Sequence, residues 1–165
     1  MPHDIPTVHA SAVLAGPRAV LIRGPAGSGK SRLAMALIQA AKSGLLAFGR
    51  LIADDRVELI EAHGRLLARA PAGLAGLIEV RGLGICRVDY EPAGVIGLVV
   101  DLAAAGAERL PEEAERRTRI AGIVLPRVAV AAAADPLPAV LALVSSSGAG
   151  TGDPALRPSS SGRIR

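Results

Sequence analysis

The stretch Gly24-Pro25-Ala26-Gly27-Ser28-Gly29-Lys30-Ser31 constrains this chain more than any other, because it spells a glycine, four residues, then glycine, lysine and serine. Ala19 to Ile22 before it is a short apolar run of strand character, and Arg32 to Ala41 after it is rich in helix formers with apolar positions at helical spacing. A loop that wraps a phosphate between strand and helix must turn several backbone N–H groups inward, which small residues permit. The helix that follows adds its positive N-terminal end. In such a loop Lys30 reaches the β- and γ-phosphates, and the Ser31 hydroxyl binds magnesium. Gly24 through Ser31 is therefore the candidate nucleotide site. A glycine-rich turn with a chance Lys-Ser is the bland alternative, and the flanks speak against it. The motif names a nucleotide and leaves the reaction open.

At 165 residues the chain has the size of one domain, and a hydrophobic content of 50% is ample for its core. Its single cysteine, Cys86, excludes an internal disulfide and suits a reducing compartment. Met1 to Asp4 lacks a basic region followed by an apolar one, and no apolar run is long enough to span a bilayer, so a cytoplasmic protein is expected. The 19 Lys and Arg are largely interspersed with the 15 Asp and Glu, which makes the net charge of +4 a modest excess. Phe48 and Tyr90 are the only aromatic residues, so stacking platforms for single-stranded nucleic acid are missing. Neither nucleic acid nor membrane is expected as a partner. An adenine ring would have to rest on aliphatic surface and backbone.

Thr7 to Leu14, bounded by Pro6 and the Gly16-Pro17 turn, reads as a strand pairing with Ala19 to Ile22. His9 lies in it, and a lone histidine beside a strand is more often a structural hydrogen-bonder than a catalyst. The helix from Ser31 should end near Lys42-Ser43-Gly44. Leu51 to Asp55 is an apolar run closing on two carboxylates. Asp54 and Asp55 fit a turn, but beside a phosphate loop a strand-end carboxylate holds magnesium and a second can accept a hydroxyl proton. Val57 to Glu61 and Arg65 to Arg69 read as a hairpin across Ala62-His63-Gly64, which counts against a wholly parallel sheet. In Leu77 to Ile85 an apolar segment is interrupted by Glu79, Arg81 and two glycines; an ion pair between the two charges, or exposure on one strand face, would satisfy them. Val95 to Leu102 is a strand, and the charged run Ala103 to Arg119 a solvated loop or helix face. Ile120 to Leu125 and Val128 to Ala131 follow as last strands, with Pro126 forcing an edge or a break. A short helix is expected over Leu137 to Val144. Residues 145–165, rich in Ser, Gly and Pro, read as a disordered tail.

The phosphate loop, Leu51-Ile52-Ala53-Asp54-Asp55-Arg56-Val57, Glu79-Val80-Arg81-Gly82-Leu83-Gly84-Ile85 and the preceding His9 occur in one order that resembles the catalytic domain of HPr kinase/phosphorylase. That bacterial enzyme phosphorylates a serine of HPr, the small phosphocarrier of the sugar phosphotransferase system. The resemblance runs from about Thr7 to Leu143, and Glu79 to Ile85 is its most diagnostic part. The chain looks like the family's short form, without the N-terminal domain, with residues 1–144 as the catalytic domain. The resemblance implies an α/β fold akin to phosphoenolpyruvate carboxykinase, a P-loop domain with a mixed sheet, using ATP and Mg2+ and assembling as a homo-oligomer. It further implies Asp54 as the base toward the substrate serine and, in reverse, the acid. Asp55 would assist, Ser31 and Glu79 would hold magnesium, and Arg109, aligned through Glu108-Arg109-Leu110, would stabilise the transferring phosphoryl group. His9 would orient the site. Two other readings stand beside a protein-serine kinase: a catalytically weak nucleotide-binding regulator, and a small-molecule kinase. The latter class usually needs a helical lid, for which nothing between Arg56 and Val95 has the pattern.

Overall fold

The computed structural model describes residues 5–146. In chain order they form β1 (Thr7–Val8), β2 (Ala10–Ala15), β3 (Arg18–Arg23), α1 (Lys30–Lys42), β4 (Gly49–Ala53), β5 (Val57–Ala62), β6 (Arg65–Arg69), β7 (Leu77–Val80), β8 (Gly84–Arg87) and β9 (Ala93–Leu102). A 3-10 turn at Glu113–Arg116 then leads into β10 (Arg117–Ile120), β11 (Ile123–Val130) and α2 (Leu137–Ser146). Nine strands make one mixed sheet in the order β1-β5-β6-β9-β3-β2-β4, with β11 also beside β9 and β10 beside β11; β7 and β8 pair separately. β3, β9 and β11 run parallel, and the other pairings of the large sheet are antiparallel. The mixed α/β class expected from the hairpin is the one that forms.

β9 is the spine. Its residues 93–95 pair with β6, and its residues 99–102 pair with β11 along the same edge while β3 takes the other. Between the two halves Ala19 opposes Ile96 and Val20 opposes Leu98, which leaves Gly97 as an extra, bulged residue. A β-carbon there would come within 2.8 Å of the Arg18 β-carbon, so the bulge falls on the residue that has none.

Helix α1 buries Leu33, Ala34, Leu37 and Ile38, the helical spacing read above, against Val13, Val20, Ile22, Leu51, Leu98 and Val100 on one face of the sheet. Val140 of α2 closes that core. The opposite face buries Ala10, Ala12, Leu21, Ile52, Val57, Leu66 and Val99, contributed by strands alone, as a sheet that curls over itself requires. Without aromatic side chains to fill space, alanine at Ala10, Ala12, Ala19 and Ala68 lets the strands of this second layer close up.

Several sequence expectations are corrected. The single strand Thr7 to Leu14 breaks at His9, because β1 pairs with β5 while β2 pairs with β3 and β4. Leu77 to Ile85 folds into the β7–β8 hairpin, with the turn at Arg81 to Leu83. The loop or helix face expected over Ala103 to Arg119 ends at Arg116, and Arg117 to Arg119 of the charged run lie in β10. Pro126 does not break its strand: it sits where β11 leaves its antiparallel partner Arg117 and starts the parallel pairing of Arg127 with Val99. The chain reverses instead at Ala121-Gly122, both at positive φ (49° and 78°). The helix over Leu137 to Val144 forms and runs on to Ser146, two residues into the stretch read as tail; residues 147–165 of that stretch lie outside the described residues. Among the described residues no helix is long and apolar enough to cross a membrane.

Candidate active site

β3 ends at Arg23 and α1 begins at Lys30, so the glycine-rich stretch is the turn between a central parallel strand and the main helix. Gly27 and Gly29 take φ of 78° and 99°, backbone that other residues adopt only with strain. A β-carbon on Gly24 would lie 2.5 Å from Ser28 Oγ and 3.1 Å from the Leu102 carbonyl oxygen, because the loop packs against the end of β9. The N-terminus of α1 has no side-chain cap and no acidic residue in its first turn, which leaves its donors to an anion. Ser28 Oγ is buried with no hydrogen-bond partner among the described residues. Lys30, 7% exposed, donates from Nζ to the carbonyls of Gly24 (2.8 Å) and Pro25 (3.1 Å), and an ammonium has a third proton to give. An orphaned hydroxyl, a spare ammonium proton and an uncapped helix end converge here, and together they fit a phosphate group.

Asp54 reaches this loop because β4 carries a bulge. Leu51 opposes Val13 and Ala53 opposes Ala12, so Ile52 is the extra residue. Leu51 faces the α1 core, whereas Ile52 and Ala53 both face the opposite one, and the broken alternation turns Asp54 back toward α1. There its carboxylate, in a residue 7% exposed, accepts hydrogen bonds from Ser31 Oγ (2.8 and 3.0 Å), Ser11 Oγ (2.6 Å) and the Glu79 backbone N–H (3.1 Å). Ser11 is fully buried and was not a candidate; its one signal is a hydroxyl in the otherwise apolar Ala10–Ala15.

Asp55 points elsewhere. It holds φ of 66° while Arg56 N–H bonds back to the Asp54 carbonyl at 2.8 Å, a tight three-residue turn of an uncommon, strained kind. Its carboxylate is 69% exposed and lies 3.2 Å from His9 Nε2, at the break between β1 and β2. The structure thus brings Ser31, Asp54 and the Glu79 backbone together and sets His9 with Asp55 beside them. Glu79 itself is exposed on β7 and makes no ion pair with Arg81 among the described residues. Among the described residues, no hydrogen bond joins Arg109 to the phosphate loop. It sits in the loop after β9 and is paired with Glu115, to which it donates twice. Among the described residues no three His, Cys, Asp or Glu side chains are arranged to hold a metal by themselves.

The profile of the family described as HPr Serine kinase C-terminal domain matches residues 6–134. The chain belongs to that family. HPr kinase/phosphorylase of Limosilactobacillus reuteri is 35% identical over 123 residues, 67% of this chain and 36% of that protein. The enzyme of the same name from Clostridium tetani is 37% identical over 87 residues, 53% of this chain and 26% of that protein. The chain therefore spans about a quarter to a third of these relatives' length. The solved Hpr(Ser) kinase/phosphatase of Coxiella burnetii superposes with a TM-score of 0.68 at 25% identity, over 87% of this chain and 95% of that one.

Beside the phosphate loop, at the ends of β3 and β9, lies a cluster that the sequence does not single out. Asp101, next to last in β9, accepts hydrogen bonds from Arg23 Nε (2.7 Å) and Nη2 (2.8 Å) and from Arg127 Nε of β11. Burial pushes the Asp101 carboxyl up, but the hydrogen bonds and charges of Arg23 and Arg127 outweigh it and hold the group below its usual 3.8. A folded-state value below the unfolded one contributes stability above about 3.8 and loses it as the pH falls further. Urea unfolding followed against pH should therefore show a steeper acid-side loss in the wild-type chain than in Asp101→Asn. Equal slopes would mean the cluster contributes no such linkage.

Proposed function

We propose that this chain is an ATP-dependent protein-serine kinase acting on HPr or an HPr-like phosphocarrier, with a phosphate loop and core akin to phosphoenolpyruvate carboxykinase. The observation that carries the reading is the hydrogen bond from Ser31 to Asp54, which unites the loop serine and a strand-end carboxylate as in phosphate-loop enzymes that hold magnesium. Bound magnesium–ATP would supply the γ-phosphoryl group and neutralise part of its charge. Lys30, the α1 N-terminus and Ser28 then bind the phosphates, and Ser31 with Asp54 and Glu79 forms the protein side of the metal site. Magnesium is commonly held by one or two carboxylates together with the substrate's phosphates, so this modest donor set fits.

The geometry favours Asp55 as the base, which exchanges the roles that the sequence resemblance gives the two aspartates. Asp54 is buried and its oxygens already accept from three partners, which leaves no approach for a serine. Asp55 is open to a protein substrate, and His9 orients it. Arg109, on the loop leaving β9, is the cation for the transferring group. Catalysis would then be in-line attack with positioning and electrostatics doing most of it.

Incubation with γ-labelled ATP and candidate HPr proteins tests the reading, because phosphoserine survives acid whereas phosphohistidine does not. Acid-stable label on the carrier is expected. Nucleotide binding without transfer would favour a regulator, and transfer to a small acceptor alone would favour a metabolite kinase. Glu79→Gln keeps the shape and removes the charge, so it should lower activity and raise the magnesium concentration needed. An unchanged magnesium dependence would take Glu79 out of the metal site.

A further inference from the structure

Four hydrogen-bonded links run from the residue before the phosphate loop to Arg109. Arg23, the residue before Gly24, and Asp101 are paired across β3 and β9 and joined by two hydrogen bonds. Arg127 donates from Nε to the same carboxylate and from Nη1 to the Glu115 carbonyl oxygen at 3.0 Å. The Glu115 side chain accepts from Arg109 and from the Glu112 N–H, within a capping box that stiffens the 3-10 turn. The Arg109 guanidinium thereby holds the Glu115 carboxyl below its usual range.

The placement of this chain has a physical cause. Arg23, Val99, Asp101 and Arg127 share one face of the sheet through parallel pairing, the face away from α1. Leu102 is the last residue of β9, and beyond it the chain is anchored to the sheet by the Ala104 N–H bond to the Val130 carbonyl, before the exposed Glu108 to Glu113. A solvated loop of that length cannot set the position of a guanidinium by itself. Arg127 is suited to fix it: its planar fork meets two acceptors in two directions, and its side chain is only 22% exposed.

We infer that Asp101 and Arg127 are positioning residues that hold the loop bearing Arg109 in register with the phosphate loop, through the Glu115 backbone. This rests on the kinase reading and on the role given there to Arg109. In the full chain, Arg127→Ala should lower single-turnover transfer to the carrier by about 10- to 100-fold at saturating nucleotide, the scale of a misplacement of roughly one ångström. Nucleotide affinity should stay unchanged. If Arg127 acts through Arg109, the double variant Arg127→Ala/Arg109→Ala is no slower than Arg109→Ala alone; losses that multiply would overturn the inference. Arg127→Lys keeps the charge but not the fork and perturbs the fold less. It should show the same defect, and full activity in it would equally overturn the bridge.

Hydrogen exchange supplies a readout that needs no turnover. Amides of residues 104–116 should exchange faster in Arg127→Lys and Asp101→Asn than in the wild-type chain, while those of α1 keep their protection. Unaltered exchange in the loop sinks the inference even if the chain is an active kinase. Failure of the wild-type chain to phosphorylate any carrier would instead sink the kinase reading and leave the tether to be decided by exchange.

Discussion

Replacing Asp55 by asparagine is expected to lower phosphoryl transfer to the carrier by about 10² to 10⁴-fold, because a serine hydroxyl is a poor nucleophile at neutral pH without a positioned base. That is roughly 3 to 5 kcal/mol in the barrier. Nucleotide affinity should hardly move, since Asp55 touches His9 and solvent rather than the loop. The variant should fold, because asparagine is among the residues that tolerate the positive φ of 66° at this position. Asp54→Asn should behave differently. Its carboxylate takes hydrogen bonds from Ser11, Ser31 and Glu79, and an amide, with one oxygen in place of two, leaves a buried donor unmatched at a cost of about 1–3 kcal/mol. Magnesium–nucleotide binding, turnover and stability should all weaken together. Single-turnover transfer at saturating nucleotide, with affinity and unfolding measured separately, decides between the two aspartates. The reverse pattern would return the base to Asp54.

Lys30→Ala is expected to abolish detectable nucleotide-dependent transfer. Loss of one preorganised cationic donor aimed at the developing charge typically costs about 10² to 10³ in rate, and here the same ammonium also binds the nucleotide. It further closes the loop on itself through the Gly24 and Pro25 carbonyls, so its removal loosens the phosphate cradle. The fold should survive, because the aliphatic contacts of α1 lie at Leu33, Ala34, Leu37 and Ile38. Circular dichroism and equilibrium nucleotide binding check both halves of this expectation. Undiminished transfer would remove the loop from the mechanism.

The parts of this protein legible in the sequence are those written in consecutive residues. The phosphate loop, the amphipathic helix behind it and the β5–β6 hairpin follow from glycine placement, 3.6-residue periodicity and the positive φ that His63 and Gly64 adopt in the turn. The charged residues of the site could be named, and their relation to one another could not. A strict two-residue alternation through Leu51, Ile52 and Ala53 would carry Asp54 to the face away from α1. The bulge at Ile52 reverses that, and the bulge exists only because β4 pairs with β2 in this register. Ser11 meets Asp54 across 43 residues and Arg23 meets Asp101 across 78, so neither contact leaves a local pattern. Pro126 likewise looked like a break until the exchange of partners from β10 to β9 gave it a place. Local sequence determines which dihedrals and which burial period a segment prefers; which face a strand turns to the site is decided by pairing with distant strands, because one residue of register flips every side chain after it.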